Sequence, residues 1–278
     1  MTETIERMLP LYEAKMVGAF NHRAADVVKS ATAVKRQNQP AYLNEADLVD
    51  RHRLASPGSW VTEQVVPDSS IACRVGFLRI SSPTNARTLI SAILPKVAIG
   101  DSVFLMNVRN ESDACILVAQ MNSFALDYVV RQKLAGLNLN FFYVQQFPFL
   151  RPDVFEAKAP WSSESLGEWV TERVAELTLT CDDMAPLAEV LKTEVSAWES
   201  AKRYVLTAEL DAAMFHLFGY AREDVDYVMD TFPIVKRKDV TFFGSYRTKD
   251  LILELYDAMQ VSIDSGRPYK SSFETEQS

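Results

Sequence analysis

The hydrophobic pattern changes period partway along this chain, and that change limits the folds open to it. In the first half, Ile71, Cys73, Val75 and Phe77 alternate with Ala72, Arg74 and Gly76, the two-residue period of a strand with one face buried. Trp60–Val66, Thr88–Leu94, Val103–Val108 and Phe141–Val144 are further strand candidates, rich in branched and aromatic residues. Ala114–Ala135 has a helical pattern, with a break expected near Asn122–Ser123. In the second half the period is helical. Leu166, Trp169, Val170, Arg173, Val174 and Leu177 share one helix face. Leu187, Leu191, Val195, Trp198, Ala201 and Val205 predict one long helix that continues through Phe215 to a stop at Gly219. Glu223, Asp224 and Asp226 open a shorter helix, and Thr248 is the expected cap of a last one. Pro148, Pro152 and Pro160 bar any single regular element between the halves. The pattern predicts an α+β protein: an N-terminal segment 1–57, a mixed or antiparallel sheet domain at 58–150, a proline-rich linker at 151–160 and a helical domain at 161–278.

Glycine placement removes several chemistries. The nine glycines lie no closer than the 18 residues between Gly58 and Gly76. Phosphate-cradling loops need glycines two to five residues apart, so that backbone N–H groups can approach an anion. GxGxxG, Walker A and GxSxG motifs are therefore excluded. The histidines His22, His52 and His216 stand apart, with no HExxH and no Cys/His ligand spacing. His216 sits in the apolar stretch AAMFHLFG and is read as a hydrogen-bonded core or boundary histidine. Cys73, Cys115 and Cys181 suggest neither a disulfide framework nor a zinc ribbon. No apolar run approaches the ~20 residues that span a bilayer, and a cytoplasmic protein with no membrane partner is expected.

The net charge of −8 conceals a division. Residues 1–158 carry 17 Lys and Arg against 15 Asp and Glu, and residues 159–278 carry 12 against 22. The first half is thus at +2 and the second at −10, which fits either a first half that faces a polyanion or one that is merely neutral.

Four segments, read in order, carry a family resemblance. They are LYEAKMVGAFNHR at 11–23, RVGFLRISSPTNARTLISAILP at 74–95, LDYVVRQKLAGLNLNFFYVQQFPFL at 126–150 and AELDAAMFHLFGYAREDVDYVMDTFPIVKR at 208–237, with GSYRTKDLILELYDAM at 244–259 trailing. Together they resemble the C-terminal target-recognition region, TaqI-like specificity domain included, of type IIG restriction–modification DNA adenine methyltransferases. The family pattern has glycine at the place of Ala14 and aspartate at the place of Asn21. The resemblance implies sequence-specific recognition of double-stranded DNA, in defence against foreign DNA. It also implies that S-adenosylmethionine and the NPPY-type motif belong to a methyltransferase domain missing from this chain, in cis or in trans. The chain has no NPPY, so no catalytic residue and no cofactor of its own is expected. It is expected to be a fragment or a specificity subunit.

Within that expectation, cations reach phosphates while Arg, Asn and Gln read base edges. Arg79, Thr84, Asn85 and Arg87 lie in a polar loop between strand candidates. Arg131, Lys133, Asn138 and Asn140, around Gly136, form a second group. Lys15, His22 and Arg23 form a third, beside Asn21, and the run Lys35–Gln39 forms a fourth. A structural turn is the alternative for the first group, and a solvated loop or charge run for the second and fourth. Lys236, Arg237 and Lys238 are read as balancing nearby acids. The stretch PDVFEAK at 152–158 imitates a PD-(D/E)xK nuclease motif. Asp153 and Glu156 are too close in sequence for that motif's intervening turn and second strand, and a linker explains them better. The alternative function is a docking module of a restriction–modification or defence complex, with the acidic helical half engaging a partner.

Overall fold

The computed structural model describes residues 6–32, 34–35 and 37–272. Among them are eight strands and ten helices, and the fold is α+β. Residues through Ile80, Ile90–Ala114 and Thr178–Trp198 form one compact unit; Ser81–Leu89, Cys115–Leu177 and the chain from Glu199 onward form the other. This division differs from the expected boundaries at 58, 150 and 161. The N-terminal segment belongs with the strands, the 115–150 stretch belongs with the helices, and a late segment returns to the strand-bearing unit.

All eight strands lie in the first unit. β1 (Met8–Tyr12) pairs antiparallel with β4 (Trp60–Thr62) and parallel with β7 (Ala98–Ile99). β2 (Ala25–Lys29) and β3 (Asn38–Tyr42) make a hairpin. The third sheet places β5 (Arg74–Leu78) between β6 (Ser91–Leu94) and β8 (Val103–Met106), antiparallel to both. Of the expected inward face, Cys73, Val75 and Phe77 are buried and Ile71 is half-buried. Gly76 suits the centre of that sheet, because a Cβ there would come within 2.6 Å of Leu94 Cδ1 and 2.9 Å of Val103 Cγ1. Tyr12, Met16, Val17, Leu94 and Val103 belong to one hydrophobic core cluster of the unit. The short helix α1 (Glu45–Val49) is held by a capping box between Asn44 and Asp47.

Helix α2 (Glu111–Asn122) ends where the break was expected. Ser123 then caps α3 (Phe124–Lys133), accepting from Leu126 N–H at 3.2 Å. Residues 141–144 correct the strand expectation, since they form one helical turn, α4 (Phe141–Val144). All four residues are aromatic or branched and favour a strand locally, but the Asn140 carbonyl instead accepts from both Tyr143 and Val144 N–H. The proline-rich stretch contains a short 3₁₀ turn over Pro152–Glu156.

Helix α5 (Leu166–Thr178) follows the predicted face. The single long helix does not form. It divides into α6 (Ala185–Leu191) and α7 (Ser200–Leu217). Lys192 closes α6 in the left-handed region, at φ 56°, and Ser196 N–H turns back to the Leu179 carbonyl at 2.8 Å. A continuous helix would need residues 192–199 to serve one element, yet they divide between the two units. Gly219 stops α7 at φ 75°, as its position predicts. Helices α8 (Arg222–Asp230), α9 (Pro233–Phe243) and α10 (Arg247–Ser265) complete the second unit. Asp224 bonds back to Ala221 N–H at 3.0 Å at the start of α8. Thr248 is not the cap of α10; its own N–H is accepted by buried Asp239 at 2.6 Å, one position inside the helix. Ser271 is buried, and its hydroxyl donates to Glu209 at 2.6 Å.

Candidate functional site

Residues 81–89 form a loop whose backbone is held from behind by α3. Asp127, fully buried, accepts from Thr88 N–H at 2.9 Å and from Leu89 N–H at 3.0 Å. One turn later, Arg131 donates from Nη2 to the carbonyls of Asn85 at 2.6 Å and Ala86 at 3.1 Å. The same guanidinium lies 3.7 Å from Asp127 and 4.0 Å over the Phe232 ring. Burial pushes the Asp127 carboxyl upward, against the charges of Arg87 and Arg131 and the two backbone donors. Arg87 pairs with buried Asp211 at 3.1 Å and lies 3.2 Å over the Phe124 ring. Asp211 also accepts from Phe124 N–H at 2.7 Å. At the loop's tip, Ser82 turns the chain by accepting from Thr84 N–H and, through its carbonyl, from Asn85 N–H. Thr84 and Asn85 are exposed.

A second loop is tied to the first, with Ser81 N–H donating to the Leu137 carbonyl at 2.9 Å. Buried Leu139 anchors it, while Lys133, Asn138 and Asn140 are exposed. Leu137 and Phe142 are exposed beside them, at 64% and 69%. Among the described residues, the side-chain amides of Asn85, Asn138 and Asn140 and the ammonium of Lys133 have no hydrogen-bond partner in the protein. The fold therefore gathers the expected residues of residues 81–146 into one neighbourhood and sorts them. Arg87 and Arg131 hold the loop, and Thr84, Asn85, Lys133, Asn138 and Asn140 face solvent.

The remaining expected residues lie in the strand-bearing unit, and most have protein partners. Arg23 is fully buried; its two terminal nitrogens donate to the carbonyls of Asp47, Leu48, Asp50, Arg53 and Thr180. It gathers the end of α1 and the returning segment around one charge. His22 is buried, and its Nε2 lies 2.9 Å from Asp183. Lys15 pairs with Glu13 at 2.8 Å and donates to the Asn38 carbonyl at 3.1 Å. Arg79 pairs with Asp101 at 3.2 Å. Asn38 and Gln39 of the fourth patch lie in β3, and Arg36 falls outside the described residues. Lys236 pairs with Asp230, and Lys249 with Asp226 and Asp230, whereas Arg237 and Lys238 are exposed without such a pair among the described residues. Asp153 is held below the usual carboxylate range by its hydrogen bond from Arg151.

Sequence reasoning did not find a cavity of about 620 Å³ in the strand-bearing unit, lined by Tyr12, Trp60, Cys73, Arg74, Lys96 and Asp183 among others. Burial pushes the Cys73 thiol up to about 12, with Glu111 adding to it. At the cavity wall, Asp183 stands with His22 and Cys181, whose metal-binding atoms all lie within 4.8 Å of one another. Burial and the neighbouring Asp183 charge push the Cys181 thiol up to about 12. Burial alone would raise Asp183, but His22, Cys181 and Arg23 together bring it below the usual range. Residues so far apart in sequence leave no local motif.

Charge follows the units rather than the halves. The strand-bearing unit holds 13 Lys and Arg against 16 Asp and Glu, and the helical unit 16 against 21. Their balances of −3 and −5 replace the +2 and −10 of the linear division, so neither unit is basic. No helix is long and apolar enough to cross a membrane among the described residues. No family model, no curated protein and no solved structure matches the chain.

Proposed function

We propose that the helical unit reads double-stranded DNA through its 81–89 loop and the 133–142 segment that joins α3 to α4, as the target-recognition part of an adenine methyltransferase or restriction enzyme whose catalytic domain lies elsewhere. The observation that carries this reading is the division of labour between Asp127 and Arg131, which fix the loop backbone, and the unpartnered amides of Asn85, Asn138 and Asn140 in front of it. Asn can pair bidentately with adenine, and Lys133 with a phosphate or guanine. A backbone fixed before contact loses little entropy on binding, so each hydrogen bond formed counts more fully. S-adenosylmethionine would belong to the methyltransferase domain, in cis or in trans.

The charge of the units favours a second reading, in which the chain docks on that catalytic domain and touches DNA little. Balances of −3 and −5 supply no general attraction for phosphate. In the recognition reading, the same charges make random duplex a poor ligand, so that affinity depends on the correct bases.

Selection from a pool of randomised duplexes at near-physiological salt separates the two. Recognition predicts enrichment of a short motif by this chain alone. Docking predicts no retained DNA and a complex with the methyltransferase domain in its absence. Salt-sensitive retention without a motif would contradict base reading and leave backbone contact alone.

A further inference from the structure

The geometry points to a transition-metal site in the strand-bearing unit, formed by His22, Cys181 and Asp183 and suited to Zn²⁺. It is independent of the DNA reading. The three donors come from the turn between β1 and β2 and from the returning Thr178–Trp198 segment, 161 residues apart at His22 and Asp183. Nothing in the local sequence required them to meet, yet their ligating atoms lie within 4.8 Å of one another. Donors around a tetrahedral zinc, at about 2.0–2.3 Å from the ion, are separated by roughly 3.3–3.8 Å. Small side-chain movements therefore close the site.

The donor types select the metal. One thiolate, one imidazole and one carboxylate make a borderline-soft set that suits Zn²⁺ or Co²⁺ and is poor for Mg²⁺ or Ca²⁺, which prefer oxygen. His22 and Cys181 are buried at 1% and 0% exposure, while Asp183 also lines the 620 Å³ cavity. Three protein ligands with one open to a cavity leave a fourth position for water.

The charges also balance. Binding releases the thiol proton of Cys181 to solvent, and the His22 ring carries its hydrogen on Nδ1 so that the Nε2 lone pair meets the ion. The dication, one thiolate and one carboxylate then sum to zero. Buried Arg23 nearby faces no added charge, and its terminal nitrogens remain bonded to backbone carbonyls. A bound ion would fasten the returning segment to the β1–β2 turn, adding a link beside the one Arg23 makes.

The test is titration of the EDTA-dialysed full chain with Co²⁺, followed by Zn²⁺. The expected result is a thiolate-to-cobalt absorption band in the near ultraviolet with tetrahedral visible bands, saturating at one equivalent and erased by equimolar Zn²⁺. Cys181→Ser should lose the near-ultraviolet band, and Cys115→Ser should keep it. Zn²⁺ should raise the thermal midpoint of the wild-type chain in a concentration-dependent way, and should do so far less for Asp183→Asn. Absence of the near-ultraviolet band from the wild-type chain would overturn the site even if the variants fail to fold. Its persistence in Cys181→Ser would do the same.

Discussion

Arg87 and Asp211 form an ion pair at 3.1 Å across 124 residues of sequence, and their side chains are only 17% and 3% exposed. The pair sits under the 81–89 loop, where Arg87 also covers the Phe124 ring. A residue expected to reach DNA is thus part of the support beneath it. Removing one partner of such a buried pair leaves the other charge unpaired, at a cost of about 3–5 kcal/mol. Arg87→Ala should lower the urea midpoint accordingly. Arg87→Lys should recover little, because an ammonium cannot reproduce the planar stacking and the fork.

Arg23 predicts a cost of another kind. Its guanidinium donates to five carbonyls on segments that are distant in sequence. Arg23→Lys keeps the charge but has too few donors in the wrong geometry, leaving buried carbonyls unmet at about 1–3 kcal/mol each. Hydrogen exchange should quicken first in the returning segment around Thr180 and at the end of α1. Exchange that changed uniformly over the chain would argue against this local role.

Asn85→Ala and Asn138→Ala should leave the fold alone. Both side chains are exposed and unpartnered, a setting in which substitutions stay within about 0.5 kcal/mol. Each should weaken binding to the selected duplex by about 1–3 kcal/mol, the cost of one lost bidentate base contact. Random-duplex binding should change little. Equal loss on both duplexes would reassign the residue to phosphate contact.

His216 supplies a pH dependence. Its ring stacks on Tyr256 at 3.8 Å, and Nε2 donates to the Tyr256 carbonyl at 3.0 Å. Burial holds it below its ordinary 6.5, against that hydrogen bond and the charge of Asp257. The folded chain thus binds fewer protons than the unfolded one below that pH. Its contribution to stability is present above pH 6.5 and is lost as the pH falls through the folded value. Urea midpoints for the wild-type chain should fall from pH 7.5 to 5.5, and His216→Gln should remove part of that slope.

Legibility in the sequence followed the range of the forces involved. The break at Ser123 and the stop at Gly219 come from one residue's cap or φ, and both can be read locally. The face of β5 is equally local, because its period belongs to the strand itself. Residues 185–217 have a nearly continuous helical period, but Ser196 bonds back to Leu179. That tertiary preference cannot be seen in a window of the sequence. The loop residues divide in the same manner. Polarity marked Asn85 and Arg87 alike, while only the folded chain brings Asp211 to Arg87 and leaves the Asn85 side-chain amide unpartnered. Asp127, Asp183 and Cys181 had no local signal, because each acquires its partners from across the chain.

The central claim is that the exposed loop amides carry the reading of bases. Its most direct test repeats the duplex selection with the Asn85→Ala/Asn138→Ala chain, alongside the wild type. The account predicts that the wild-type chain enriches a short motif and that the doubly substituted chain, folded to the same urea midpoint, loses enrichment at particular positions within it. The same motif enriched to the same depth by both chains would contradict the account.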